Sequence, residues 1–512
     1  MKVIDNRALL LTVKNPARIT AVIPSSREFP NNRVLVKWGL DEAQVLKNLN
    51  IKNVPSPILG HYKWTGQHKP FNHQRTTASF LTLHRRAFCF SEQGTGKTGA
   101  VIWAADWLMM TKKIRRVLVI CPLSIMDSAW RADLFKFAMH RRVDIAYGSA
   151  KKRKAIIESD AEFVIINYDG VEIVADTIAK ANFDLIVIDE ASAYKSTSTK
   201  RWKVLNGLLK PDTWLWMMTG TPAAQSPVDA YGLAKLVNPK GVPPFFSQFR
   251  DMVMSKVTNF RWEARPRAKD IVHQVLQPAI RYTKDECLDL PEMTYVRREV
   301  ELTAQQQKYY TTLANRMTMV AAGEEITAVN KAVAMNKLLQ IATGAVYSDT
   351  GEVLEFDISN RYRVLKEVID EASQKVLVFV PFNHVIDLLV QKLEDDNISV
   401  GVINGAVSVG KRTQLVHDFQ TKDIPRVMII QPQAAQHGLT LTAANTVVWW
   451  GPTPSLETYE QCNARVHRAG QRHPSTVFML QGSKVERRIY QLLSDRIDVY
   501  SDIMKLYEEP LV

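Results

Sequence analysis

Three short stretches carry residue types that could act on a phosphate chain. The first, Ser91-Glu-Gln-Gly-Thr-Gly-Lys-Thr98, directly follows the apolar Ala87-Phe-Cys-Phe90 and precedes the helix-forming Gly99-Ala-Val-Ile-Trp103. Gly94 and Gly96, with Thr95 between them, let the backbone wrap an anion with its N–H groups pointing inward. The N-terminus of the next helix adds a favourable dipole. In such a loop Lys97 reaches the β- and γ-phosphates, and the Thr98 hydroxyl is offered to Mg²⁺. The strict pattern wants glycine where Ser91 stands. The bland alternative is a glycine-rich turn, but the strand before and the helix after favour the phosphate reading.

The second stretch is Asp189-Glu190, closing the apolar Leu185-Ile-Val-Ile188. A strand-end aspartate can hold Mg²⁺, largely through water, and the next glutamate can orient or deprotonate an attacking water. Alone the pair would be an ordinary strand cap; downstream of a phosphate loop it reads as chemistry. The third stretch is Gln461-Cys-Asn-Ala-Arg465-Val-His-Arg468. Its pattern predicts a helix with Arg465 and Arg468 at i, i+3 on one face. Two guanidiniums there could neutralise charge developing on a γ-phosphate. Without context that pair is a solvated surface. Gly405-Ala-Val-Ser-Val-Gly-Lys411 imitates the first stretch, yet Arg412 replaces the hydroxyl residue Mg²⁺ would need. It reads as a surface loop.

The elements that must hold these groups follow from patterning. Continuous apolar blocks stand at 117–121, 163–166, 185–188, 215–218, 376–380, 427–430 and 446–450. Blocks apolar on both faces and separated by helical patterns suit buried parallel sheets, so the fold class is α/β with two such sheets. Trp449 and Trp450 end one block and read as packing groups rather than base-stacking platforms. The expected domains are a small separate module at 1–60, a first α/β domain at 61–250, a helical insertion or linker at 251–345, and a second α/β domain at 346–512. With 512 residues, no metal or disulfide staple is needed, and 46% hydrophobic and 23% charged residues exclude general disorder. The four cysteines, Cys89, Cys121, Cys287 and Cys462, form no C-x-x-C pair, arguing against zinc ribbons and secreted disulfide frameworks. No apolar run is long enough for a membrane span or signal peptide, so a cytoplasmic protein is expected. A net charge of +14 points to a polyanionic partner.

In order from Phe71 to Leu493, these pieces resemble the superfamily-two helicase motor, and in detail the Swi/Snf-type ATPases. Phe71-Asn-His-Gln74 is similar to the glutamine motif, which implies that Gln74 reads the adenine edge. Val117 to Ser124, with Trp130, resembles the motif that touches the DNA backbone. Thr219-Gly-Thr-Pro222 and Leu236-Val-Asn-Pro239 resemble the coupling motif and its tail, and Arg281-Tyr-Thr-Lys284 the lead into the second domain. Gly438-Leu-Thr-Leu-Thr442 is similar to the fifth motif, and Gln461, Arg465, His467, Arg468, Gly470 and Gln471 to the sixth. Asp189-Glu-Ala-Ser192 departs from the usual Asp-Glu-Ala-His or Asp-Glu-Ser-His. Trp449-Trp-Gly-Pro departs from Trp-Asn-Pro and looks like compact bacterial and phage members. The first 60 residues resemble the N-terminal module of annealing-helicase relatives.

The resemblance implies two RecA-like domains with ATP between them. Gly94, Thr95, Gly96, Lys97, Thr98, Asp189 and Glu190 would come from the first, and Arg465 and Arg468, with Gly438 and Gln461, from the second. ATP and Mg²⁺ are the implied cofactors. Double-stranded or forked DNA is the implied track for a monomeric translocase, and the 1–60 module is a candidate DNA contact. The alternatives are a strand-separating DNA or RNA helicase or restriction-type motor, a non-hydrolysing scaffold, and a metabolic P-loop kinase. The kinase leaves the second α/β series unexplained.

Overall fold

A computed structural model describes residues 1–66, 68–220, 222–223, 226–257, 262–287, 291–323, 328–347, 353–435 and 439–495. The chain forms two compact units, Met1–Cys287 and Leu288–Val512. The boundary lies inside the stretch expected to be a helical insertion. That stretch is divided: residues up to 287 belong to the first unit, and two long helices, Ala304–Gly323 and Ala328–Thr343, belong to the second.

The first unit opens with a four-stranded antiparallel sheet of β1 (Lys2–Ile4), β2 (Ala8–Thr12), β3 (Arg27–Phe29) and β4 (Arg33–Lys37), in the order β1-β2-β4-β3. The alternation expected of a half-buried sheet is clear. Leu9, Leu11, Val34 and Val36 face inward and are fully covered. The reading of residues 1–60 as a separate module is corrected here. Those side chains share one apolar core with Leu81, Val101 and Trp103 of the following domain. The junction is also stitched by Gln44 Nε2 donating to Thr82 O and Lys47 Nζ to Leu83 O. Sequence periodicity finds an inward face but cannot say which surface covers it.

The main sheet of this unit contains β5 (Arg86–Cys89), β6 (Val117–Cys121), β7 (Val143–Ile145), β8 (Phe163–Asn167), β9 (Leu185–Asp189), β10 (Trp214–Met218) and the short β11 (Ala279–Ile280). Every pairing is parallel, and the order is β11-β5-β10-β9-β6-β8-β7. Successive residues of β6 alternate between two apolar cores, Val117, Val119 and Cys121 on one side and Leu118 and Ile120 on the other. This explains why its sequence reads as a continuous apolar run. Register then places the chemistry. Met218 pairs with both Cys89 and Asp189, so the C-terminal ends of β5, β10 and β9 lie side by side at one level. In open α/β sheets this is the end where ligands bind.

The second unit is built on β12 (Met293–Glu299), β13 (Lys375–Phe379), β14 (Val400–Ile403), β15 (Val427–Ile430), β16 (Ala444–Trp449) and β17 (Ser475–Gln481). These strands are all parallel, in the order β12-β17-β16-β13-β15-β14. Leu377 and Phe379 enter one core, Val376 and Val378 the other. Trp449 and Trp450 are fully buried, and their indole N–H groups donate to Asn463 Oδ1 and Thr343 O. Their expected packing role is met. Among the described residues, no helix is long and apolar enough to cross a membrane.

Candidate active site

In the first unit, the loop from Ser91 to Gly96 joins β5 to the helix Lys97–Met110. Gly96 is that helix's N-cap at φ +76°, and Gly94 has φ +87°. Both lie in the left-handed region that glycine enters without penalty. A Cβ on Gly96 would also sit 2.2 Å from Gln74 Nε2. The loop is braced from several sides. His73 Nε2 donates to Thr95 O at 2.7 Å, and Gln74 Nε2 donates to Gly96 O at 3.1 Å. Gln74 Oε1 meanwhile accepts the Phe71 amide at 2.9 Å. Gln74 thus ties the start of its own helix to the loop. Thr95 is buried and its hydroxyl donates to Glu92 O at 2.8 Å.

Ser91, the departure from the strict pattern, has a structural explanation. Its Oγ accepts the Tyr282 amide at 3.2 Å, while Glu92 N donates to Tyr282 O at 2.9 Å. The segment leaving β11 is therefore laced to the phosphate loop beyond the last strand pairing, using a hydroxyl glycine cannot supply. Lys97 Nζ donates to Ser91 O at 2.6 Å and Glu92 O at 3.3 Å. Its ammonium already lies over the loop carbonyls. Thr98 is half-buried in the first turn of the helix.

At the end of β9, Asp189 is held at both oxygens. Trp130 Nε1 donates to Oδ2 at 2.9 Å and the Glu190 amide to Oδ1 at 3.0 Å. Trp130 is fully buried, so the expectation that it belongs to a DNA-touching surface is corrected: its polar atom serves the aspartate. Glu190 adopts φ +51°, unusual for a residue with a Cβ, and Tyr168 OH fixes that turn by donating to Asp189 O at 2.6 Å and Glu190 O at 3.2 Å. Burial, then the Asp189 and Glu190 charges, pushes the Tyr168 hydroxyl well above its ordinary range, so it stays a donor. Across the gap, Gln93 Nε2 donates to Glu190 Oε1 at 3.0 Å. Trp130, Tyr168 and Gln93 escaped the sequence reading as site residues. No spacing rule links them to Asp189; only the sheet order does.

The second unit brings Arg465 and Arg468 near each other, but not on a helix face. The helix Leu456–Asn463, capped by Ser455 Oγ, ends before either arginine. The expected continuation fails because the backbone there has other partners. Arg465 O accepts the Leu441 amide at 3.0 Å, and Gln471 Nε2 donates to Val466 O at 3.4 Å while also reaching Ala444 O at 2.8 Å and Thr442 O at 3.3 Å. Gln471 Oε1 accepts the amides of Arg472 and His473. Arg465 is 6% exposed; Arg468 is half-buried, with Nη1 donating to Leu439 O at 3.1 Å. Gln461 is buried, its Nε2 donating to Glu457 Oε1. Gly438 lies outside the described residues. The look-alike stretch at 405–411 is an exposed turn entering a helix capped by Ser408, as expected of a surface loop.

Several arginines of the first unit serve the fold. Arg116 donates to the carbonyls of Ile157, Ala161 and Ala181. Arg141 pairs with buried Asp106 and with Glu162. On the helix Ala150–Ile157, Arg153 is buried against Asn167 Oδ1, while Lys151, Lys152 and Lys154 are exposed.

A glycine-rich strand-to-helix loop beside an acidic strand end, on one of two parallel α/β sheets, has the form of a P-loop nucleotide-binding class. Comparison with known families narrows it. A family model described as SNF2-related domain matches residues 73–350, and one described as helicase conserved C-terminal domain matches residues 360–470. The chain belongs to the SNF2-related family of helicase-like ATPases. It is 27% identical over 423 residues to an uncharacterized ATP-dependent helicase, MG018, of Mycoplasma genitalium, covering 79% of this chain and 39% of that one. It is 25% identical to chromodomain-helicase-DNA-binding protein 1-like of Danio rerio, covering 78% and 40%. Putative protein p41 of Acyrthosiphon pisum secondary endosymbiont phage 1 is 23% identical, with 78% of this chain and 88% of that one covered. The chain spans about two fifths of the length of the first two relatives. Among solved structures, the Sulfolobus solfataricus SWI2/SNF2 ATPase core in complex with dsDNA matches at TM-score 0.42 and 22% identity, covering 87% and 96%.

Proposed function

We propose that the chain is an ATP-dependent DNA translocase, working as a cytoplasmic monomer that moves along double-stranded or forked DNA and remodels DNA or DNA–protein complexes. The observation that carries the hydrolytic half is the register that sets the Ser91–Thr98 loop beside Asp189 and Glu190. In this reading the loop amides and Lys97 grip the phosphates, Gln74 adds an adenine contact, and Glu190 orients the attacking water. Arg465 and Arg468, supported by Gly438 and Gln461, supply positive charge from the second unit. Asp189 and the Thr98 hydroxyl are hard oxygen donors and too few to cage a metal, which fits Mg²⁺ held mainly by water and phosphate. A magnesium ion there would neutralise charge on the phosphate oxygens. Catalysis is then positioning plus charge stabilisation.

The DNA half is supported by charge. The outer face of the N-terminal sheet carries Lys2, Arg27, Arg33 and Lys37, with Phe29 45% exposed. Register gathers these residues, since Leu35 pairs with Arg27 and Phe29 with Arg33. We assign this face to phosphate contacts, which give affinity without sequence choice. A strand-separating helicase is the second reading, favoured by the helicase C-terminal match. ATP hydrolysis measured without nucleic acid, then with single-stranded, duplex and forked DNA and RNA, decides between them, with Lys97→Ala as control. Duplex or fork stimulation lost in the variant supports the translocase. Stimulation by single strands or RNA alone selects the helicase, and no hydrolysis under any condition removes both.

A further inference from the structure

Glu190 is the residue assigned above to the attacking water, yet its carboxylate is already engaged. Gln93 reaches across from the phosphate loop and donates to Oε1 at 3.0 Å. Three connections meet at this bond. Gln93 stands three residues before Gly96, in the loop that must receive the phosphates. Glu190 follows β9, its turn fixed by Tyr168 and Asp189. Gly220, just after β10, lies alongside as well, since a Cβ built on it would meet Gln93 Cγ at 3.8 Å. A neutral amide donating to a carboxylate is a charge-assisted hydrogen bond, stronger than one between neutral groups. Lys97 shares the same resting arrangement, its ammonium folded onto Ser91 O and Glu92 O.

We propose that Gln93 is a positioning residue that restrains Glu190 in the resting enzyme, and that nucleic-acid binding stimulates turnover by releasing it. This rests on the assignment of Glu190 made above. A loop that closes around phosphates must move Lys97 off its own carbonyls, and Gln93 rides on that same loop. Movement of the loop and release of the carboxylate are therefore one step, which nucleotide alone leaves mostly unmade and nucleic acid favours. A side chain of equal length without the donor removes the restraint and leaves the loop backbone unchanged.

The test is steady-state ATP hydrolysis by the full chain with and without duplex DNA, comparing wild type with Gln93→Met, Gln93→Glu and Glu190→Gln. Losing one charge-assisted bond predicts that Gln93→Met raises DNA-independent kcat on the order of tenfold. Its KM for ATP and its DNA-stimulated kcat should stay near wild type, so the stimulation ratio collapses. Gln93→Glu, which repels Glu190, should also raise the basal rate. It serves as the independent variant if the methionine form fails a thermal-melt check. An unchanged basal kcat in both variants would sink the idea. So would a rise in KM alone, which would make Gln93 a nucleotide contact, or a fall in kcat with and without DNA. Glu190→Gln separates the two layers. If it hydrolyses ATP at the wild-type rate, the assignment of Glu190 fails; if it is inactive while Gln93→Met behaves as wild type, only the restraint fails.

Discussion

The two segments to which we assign the handling of phosphate charge are held in opposite ways. The Ser91–Thr98 loop is short and local, with both ends fixed by regular elements, β5 before it and the helix from Lys97 after it. Arg465 and Arg468 lie in an irregular stretch whose shape comes from remote partners, the Leu441 amide and the Gln471 side chain. The first arrangement starts from element order and two left-handed glycines, to which His73, Gln74 and Tyr282 add braces. The second exists only once residues about thirty positions apart have met. A local site tolerates change in its surroundings, whereas a tertiary one transmits it.

The largest effect that could break this contrast concerns the arginines. Arg468→Ala should cut DNA-stimulated ATP turnover on the order of 10³-fold, with a smaller loss of Tm than Arg465→Ala, because Arg468 is only half-buried. Arg465→Ala should lose turnover and also lower the melting temperature of the second unit, since Arg465 is almost fully buried. A fully active Arg468→Ala would remove that residue from the chemistry. Gln471→Ala sharpens the same point without touching an arginine. It removes the donor from the Thr442, Ala444 and Val466 carbonyls and the acceptor from two amides on exposed residues; the two buried carbonyls, Ala444 and Val466, cost ~2–6 kcal/mol of stability at 1–3 kcal/mol per buried unsatisfied group. Turnover should fall while nucleotide binding by the first unit persists, as equilibrium binding of a fluorescent ATP analogue would register.

What could be read beforehand follows the same division. The strand blocks 117–121 and 427–430 coincide with β6 and β15, because a strand buried on both faces writes its extent directly into composition. Asp189 and the glycine loop were legible because each sits at the end of such a block. The helix expected through Arg468 was not realised. Periodicity measures what a segment could do alone, and here the Leu441 amide takes the Arg465 carbonyl and the Gln471 side chain the Val466 carbonyl, which a continuing helix would use. Trp130 was legible as an aromatic but not as the donor to Asp189, a relation only the fold creates. The N-terminal sheet showed its inward face but not that this face would merge with the core of the next domain.

Within the first unit, the contrast can be tested through pH. His84 sits between the helix Asn72–Leu83 and β5, stacked on Phe80 at 4.1 Å. Burial pushes its imidazole down to about 4 from the usual 6.5; the Phe80 carbonyl opposes this and the Lys47 charge assists it. The unfolded chain therefore binds the extra proton between those values and the folded chain does not. Stability is full above pH 6.5 and is lost as the pH falls towards 4, by roughly 3 kcal/mol. Melts of wild type and His84→Gln across this range should show a flatter curve for the variant. Parallel curves would mean that the imidazole titrates equally in both states.

The smallest expected effect tests the one irregular residue of the phosphate loop. Ser91→Gly restores the strict loop pattern and so looks like an improvement in sequence. The Ser91 hydroxyl, however, accepts the Tyr282 amide, and the variant leaves that amide to find water or remain unpaired. Removing one such bond costs ~1 kcal/mol, and the extra backbone freedom of glycine adds to it. The melting temperature of the first unit should therefore drop by a few degrees, since ~1 kcal/mol moves Tm by about 2–4 °C in a domain of this size. KM for ATP should stay within about twofold, because Lys97 draws on the Ser91 carbonyl, which the substitution keeps. A variant as stable as wild type would mean that the remaining lacing, Glu92 N to Tyr282 O and Phe90 N to Ile280 O, holds the loop by itself. The Ser91 side chain would then be dispensable, and backbone bonds alone would secure the loop.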